Sequence, residues 1–300
     1  MKCKTVVVLF VLNCMGVSSF SQGASDPLDD DFSSPATMAN WKWLHSVEGW
    51  PDKVRKTEIS NGNLVIEPGT SGWFADKNAP FLFKEVNGDF DVRARVKATG
   101  LTADVAQTTW SLGGLMVRVP KKSKKDNWVP RDENWLFMTT GVAEVPGKQV
   151  VETKYTLNSR SNLKLRDAKA DWITLRIVRV GHAFILLTKY DNDKAWTVQD
   201  RFYIADWPPV LQVGFNAYTN SMAVPGNILW GDPFRFNSEI FDHLGKVDFR
   251  LTVDFITFKK TRQSFQVAGS PGQTWLNQVS KNTLADHAVS NEEILSLLGD

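Results

Sequence analysis

The chain has 300 residues, 42% of them hydrophobic and 11% aromatic, with 35 Lys and Arg against 33 Asp and Glu for a formal net charge of +2. Near-neutral charge argues against nucleic-acid binding by bulk electrostatics, and the length supplies apolar material for one or two domains whose cores need no covalent staples. The only cysteines are Cys3 and Cys14.

Both fall in a stretch that reads as a signal peptide. Lys2 and Lys4 carry positive charge, residues 6–12 are apolar, and Ser19-Phe20-Ser21 puts small residues at both positions a signal peptidase reads. Cleavage after Ser21 is expected, which makes residues 1–21 a leader and the protein secreted or periplasmic. The apolar run falls short of the ~20 residues that span a bilayer; a retained anchor and lipid attachment at Cys14 are the alternatives. No later run is long enough to form a transmembrane segment. A mature chain without cysteine has no disulfide, no cysteine-ligated zinc and no thiol nucleophile.

Strand patterns follow. Residues 90–96 alternate apolar and polar, the mark of a half-buried strand. Residues 115–119 form the next, stopped by Pro120, and 150–157 another. Residues 172–180 end at Gly181, and 183–190 run into the turn Asp191-Asn192-Asp193. Residues 198–204, 211–218 and 247–258 complete the set. Regular short strands without amphipathic helices between them predict an all-β sandwich over residues 29–260. Two long loops interrupt it: 121–134, with Lys121, Lys122, Lys124, Lys125 and Trp128, and 219–242, with Trp230. Loops this long in a compact domain are often functional. Residues 261–300 form a tail, polar and turn-rich over 264–274. It ends in a short helix capped by Ser290, with Ile294, Leu297 and Leu298 as its apolar stripe and Gly299 as its stop.

Several stretches carry a family likeness: Ala79-Pro80-Phe81-Leu82-Phe83, Gly88-Asp89-Phe90-Asp91-Val92, Gly113-Gly114-Leu115-Met116-Val117-Arg118, Trp172 with Arg176, Arg179, Gly181 and Phe184, and the hairpin from Asp191 to Trp196. In this order they resemble the concanavalin A-like domains found beside glycoside hydrolases in bacterial polysaccharide-degrading systems. The resemblance covers residues 29–260 and implies a jelly-roll β-sandwich that binds or acts on carbohydrate. The paired-glutamate strand of jelly-roll glucanases is missing. Arg93 and Arg95, with Gly214-Phe215-Asn216-Ala217-Tyr218, faintly echo strands of jelly-roll alginate lyases. A looser likeness is to secreted oligosaccharide dehydratases and lyases of ulvan-degrading bacteria, which implies β-elimination on uronate-containing oligosaccharides. A lectin-like, non-catalytic carbohydrate-binding protein is the alternative, and the 12 Trp suit sugar stacking.

Strand alternation places candidate residues on one face. Val213, Phe215 and Ala217 are expected in the core, so Gln212, Asn216 and Tyr218 point away from it; Leu115 and Val117 likewise leave Met116 and Arg118 outside. On residues 150–157 either Glu152 and Lys154 or Thr153 and Tyr155 share that face. Elimination from a uronate needs a group that neutralises the carboxylate, a base for the C5 proton and an acid for the leaving oxygen. Arg118 and Asn216 are assigned to the carboxylate, Tyr218 and either His182 or His45 to proton transfer, and Lys154, Tyr190 and Gln212 to substrate binding. No cofactor is required. Asp29-Asp30-Asp31 could join Asp254 in a structural calcium site, since hard cations take oxygen ligands. No histidine pair at zinc spacing, phosphate loop or nucleophile elbow occurs.

Overall fold

The computed structural model describes residues 26–261 and 284–299. The expected leader and the polar stretch 264–274 lie outside them. In chain order come β1 (Lys42–Trp43), the short helix α1 (Leu44–Glu48), β2 (Val54–Ser60), β3 (Asn63–Pro68), β4 (Thr70–Ser71), β5 (Phe81–Asn87) and β6 (Phe90–Thr99). Next are β7 (Ser111–Arg118), β8 (Trp135–Val142), β9 (Gln149–Leu157), β10 (Arg160–Asp167), β11 (Ile173–Val180), β12 (Ala183–Tyr190), β13 (Thr197–Tyr203) and β14 (Val210–Asn220). Two short helices, α2 (Gly226–Gly231) and α3 (Pro233–Ser238), precede β15 (Arg250–Lys259), and α4 (Asn291–Leu298) ends the described chain.

The strands form two sheets. The larger has the order β1-β5-β14-β7-β8-β9-β10, with β4 added beside β14; the smaller has the order β13-β12-β11-β6-β15-β3-β2. Every pairing is antiparallel except β4 with β14. This is the expected jelly-roll sandwich. The core lies between the sheets: Val213, Phe215 and Ala217 of β14 and Leu115 and Val117 of β7 meet Val92, Ala94 and Val96 of β6 and Leu175 and Ile177 of β11. Alternation gave these faces correctly. The first residues also reach the last strand, with Asp30 bridging Ile256.

The sequence did not mark β1, β2, β3, β4, β5, β8 and β10 as strands, and three of these show why. β2 and β10 are the outer strands of the two sheets and mostly polar, as solvent-facing edges tend to be. β8 is buried along its whole length, since both of its faces are covered, so it shows no alternation. The β2–β3 turn is Asn61-Gly62, both with positive φ (52° and 73°), the backbone a two-residue hairpin requires.

Helix α4 forms as expected, with the Ser290 hydroxyl accepting from Glu293 N at 3.2 Å. Ile294 and Leu298 pack against Val178, Val180, Ile185, Leu187 and Trp196 on the outer face of the smaller sheet. Arg176 anchors its end, donating to Gly299 O at 2.8 Å while its other nitrogens hold Asp91 at 2.7 and 2.8 Å. Among the described residues no helix is long and apolar enough to cross a membrane.

Candidate functional site

The outer face of the larger sheet is not bare. Trp73 packs on Phe81 and Trp135, and α2 and α3 add a layer built on Ile228, Leu229, Phe236 and Phe241 with Phe74. Polar contacts seat this roof: Asn237 accepts from Asn78 N and donates to Asp76 O, and the Lys53 ammonium donates to Phe236 O at 2.7 Å. Beneath it lie two groups of ionic side chains.

The first surrounds Arg118. Its Nε and Nη2 donate to the two Glu133 oxygens at 3.0 and 2.9 Å, Nη1 donates to Gln212 Oε1 at 2.9 Å, and Nη2 also meets Glu48 Oε1 at 2.8 Å. Lys121 lies 2.7 Å from Glu133, so this member of the lysine-rich loop is a buried partner while Lys122 and Lys124 are exposed. Burial works to raise the Glu133 pKa, but the charges of Arg118 and Lys121 outweigh it and hold it below the ordinary value. Arg118 is 0% exposed. Two cations face two carboxylates, and every arm of the guanidinium is taken. The expectation that Arg118 binds a substrate carboxylate is therefore corrected: it binds Glu133 and Glu48. Gln212 is corrected with it, since its amide oxygen serves Arg118.

The second group is Tyr218, Glu152 and Lys154. Thr153 reaches Asp200 of the opposite sheet at 3.2 Å, which turns Glu152 and Lys154 to the outer face and settles the alternative left open by the sequence. Tyr218 donates its hydroxyl to Glu152 Oε2, which Thr139 also serves at 3.2 Å. Burial raises the Tyr218 pKa well above its ordinary value, and the Glu152 charge adds to the shift, so the phenol keeps its proton. The Lys154 ammonium lies 3.6 Å from Glu152 Oε1 and 5.8–5.9 Å from the ring centres of Phe74, Trp110 and Phe137. Burial lowers the Lys154 pKa, partly offset by Glu152.

Tyr218 and Lys154 line a cavity of about 300 Å³ with Trp73, Phe74, Trp110 and Trp230. That volume sits at the lower end of small-molecule sites, about 300–1,000 Å³. Trp230, from α2, stands 66% exposed at its rim, 5.7 Å from the Phe74 ring. The sequence flagged the loop that carries Trp230. Trp73, Phe74 and Trp110 went unmarked, and the high tryptophan content was their only signal.

The other candidates lie elsewhere. Asn216 is fully buried on the same sheet, and its amide hydrogen-bonds to no protein group, but it does not line the cavity. His182 is exposed at the β11–β12 turn of the smaller sheet, against the Tyr203 ring. Tyr190 ends β12 of that sheet, its hydroxyl accepting from Lys169 N at 2.9 Å. His45 stacks on Trp43 and faces Asp52 at 3.5 Å, beside a separate space of about 10 Å³. Burial lowers its pKa, and Asp52 opposes the shift. Neither histidine lines the cavity that holds Tyr218. The expected acid–base pair is thus not assembled in this structure, because strand alternation fixes a face but not a position along it.

The aspartates proposed for calcium are occupied singly. Asp29 accepts from Phe258 N, Asp30 from Phe32 N and the Trp41 indole, Asp31 from Ser33 N, and Asp254 from Arg95. Among the described residues no group of three or more histidine, cysteine or carboxylate side chains is placed to hold a metal ion.

No protein-family model matches the sequence, and no curated protein matches it. Among solved structures the chain is similar to a functionally unknown protein from Saccharomyces cerevisiae, with a TM-score of 0.52 and 14% identity over 75% of this chain and 98% of that one. It is also similar to the GH43 protein BlXynB from Bacillus licheniformis (TM-score 0.50, 12% identity), covering 78% of this chain but 39% of that one. A lectin of Griffonia simplicifolia aligns with a TM-score of 0.46 and 8% identity over 76% of this chain and 96% of that one. At such identities a likeness speaks for fold and not for activity. The fold they share with this chain is the two-sheet antiparallel β-sandwich, and nothing in these neighbours bears on ulvan.

Proposed function

We propose that the protein binds a carbohydrate bearing an anionic substituent, one sugar ring lying in the aromatic cavity with the anion at Lys154. One observation supports this above the others: a 5% exposed lysine, with Glu152 3.6 Å away as its one ion-pair partner among the described residues, lines a cavity rich in aromatic side chains, Trp73, Phe74, Trp110, Tyr218 and Trp230. An ammonium buried without full hydrogen bonding is costly. A carboxylate or sulfate on the ligand would supply the missing acceptors. The indole and phenyl walls suit the apolar face of a pyranose, and Trp230 is free to close over it. The lectin and the GH43 protein among the structural neighbours are consistent with this reading without carrying it.

A second reading is β-elimination on a uronate-containing oligosaccharide, favoured by the tyrosine beside the buried lysine. Lys154 would neutralise the carboxylate, and Tyr218, holding its proton, would serve as acid to the leaving oxygen. The cavity presents no histidine to take the C5 proton, and Glu152, whose Oε2 accepts from Tyr218 and Thr139, is not among its lining residues. Binding is therefore the better-supported function.

Tryptophan fluorescence titration with paired uronate and neutral oligosaccharides tests both readings. Uronates should bind, neutral analogues should bind at least about tenfold more weakly, and Trp230→Ala should lose about tenfold in affinity or more. Equal affinity for both ligand types, or a silent Trp230→Ala, would overturn the proposal. Growth of unsaturated-uronate absorbance with turnover would select elimination.

A further inference from the structure

We infer that the sugar site continues across the edge strand β10 into a second, polar subsite, so that the natural ligand is an extended acidic oligosaccharide and not a single sugar. The inference rests on the proposed aromatic site and extends it. A cavity of about 350 Å³ lies between the sheets at their open edge, lined by Tyr155, Asn162, Leu163, Lys164, Asp200 and Phe202 among others. It adjoins the aromatic cavity, because both are lined by Leu163.

The pleat of β10 accounts for this arrangement. Successive side chains of a strand point to opposite faces. Ser161 and Leu163 line the aromatic cavity, while Asn162 and Lys164 line the second. The pairing with β9 agrees: Leu163 lies opposite Lys154, which faces the first cavity, and Lys164 opposite Thr153, which faces the second. Leu163 is 40% exposed at the divide. A chain of sugars leaving Lys154 has only the width of this strand to cross before it meets a second set of partners.

Those partners suit a hydroxyl-rich ring. Tyr155 and Phe202 present two aromatic rings with centres 5.0 Å apart. Asn162 is exposed, so its amide is open to a ligand. The one acid, Asp200, is held by Lys164 at 3.0 Å and Thr153 at 3.2 Å, and Arg201 lines the same space, so the lining is not repulsive to a uronate.

Di- and hexagalacturonate are suitable probes, titrated calorimetrically. In the parent protein the hexamer should bind about tenfold tighter than the dimer or better, the gain expected from one or two added hydrogen bonds and a stacked ring. Phe202→Ala and Asn162→Trp, the second filling the subsite, should abolish that advantage and leave dimer affinity unchanged, whereas Trp230→Ala should weaken both lengths. Equal affinity for the two lengths in the parent, or a hexamer advantage that survives both Phe202→Ala and Asn162→Trp, would overturn the second subsite. Failure of both lengths to bind the parent would instead overturn the aromatic site, and this extension with it.

Discussion

Two groups of buried charge share one face of one sheet, and they end in opposite states. Around Arg118 two cations and two carboxylates close on one another, with Gln212 taking the remaining guanidinium arm. Around Lys154 one cation has a single carboxylate at 3.6 Å, whose Oε2 accepts from Tyr218 and Thr139 while the Oε1 nearest the lysine has no hydrogen-bond partner among the described residues. The first group is wholly enclosed, and the second stands beside an open cavity. Burial of charge alone therefore does not mark a site; an unfinished set of partners next to open space does.

Removing a member from each group should separate them. Arg118→Ala leaves Glu133 and Glu48 buried with only Lys121, and breaking such a set typically costs about 3–5 kcal/mol. Urea denaturation should show a loss of that order. An unchanged midpoint would mean that the group is not the closed unit described here. Lys154→Met keeps the volume and discards the under-partnered charge. It should cost uronate binding about 1.5–3 kcal/mol, the worth of a hydrogen bond to a charged group, while stability changes far less than for Arg118→Ala. If Lys154→Met unfolds the protein and Arg118→Ala does not, the comparison is reversed.

Another buried cation sharpens the contrast through pH. Lys53 is enclosed beneath α3, with Phe236 O at 2.7 Å and only Asp242 to favour its charge. Burial lowers its pKa from 10.5 to about 7. Between those values the unfolded chain holds the proton and the folded protein releases it, so stability rises with pH through that window, by roughly 1.4 kcal/mol per pH unit at most for one such group. Burial shifts Lys154 in the same direction. Comparison with Lys53→Met isolates the Lys53 part: the variant should show a flatter rise in thermal midpoint from neutral to alkaline pH. Parallel profiles would exclude an appreciably shifted Lys53.

Much of the fold could be read in the sequence because alternation is a local property. β6, β7, β12 and β14 each have one face in the core, and their residues say so. The edge strands β2 and β10, dominated by polar residues, and β8, whose Trp135, Leu136, Phe137 and Met138 are apolar on both faces, were not read that way. The site was legible to the same depth. Tyr218 and Lys154 were found because both lie on the outer face. Arg118 and Gln212 met the same criterion and were misassigned, because their partners lie off the strands, Glu48 in α1 and Glu133 in the loop after β7, where alternation says nothing. Trp73, Phe74 and Trp110 lie on connections, where no period operates.

The smallest expected effect belongs to the residue whose placement differs most from its assignment. His182 sits in the two-residue turn between β11 and β12, on the sheet that does not carry the aromatic cavity, and its ring touches only the Tyr203 ring among the aromatic side chains described. It is exposed, and Tyr203 is itself 53% exposed, so little apolar area is removed from water by their contact. The turn is also held through the backbone, its His182 carbonyl accepting from Ile204 N just after β13 at 2.8 Å, a bond that survives loss of the imidazole. His182→Ala should therefore change stability by less than about 0.5 kcal/mol, as for most exposed positions without special partners. It should also leave uronate affinity as it was, because nothing joins the turn to Lys154 except the core between the sheets. Calorimetric titration of the variant beside Lys154→Met decides the matter. A loss of affinity at His182 comparable to that at Lys154 would move the binding site to the other sheet.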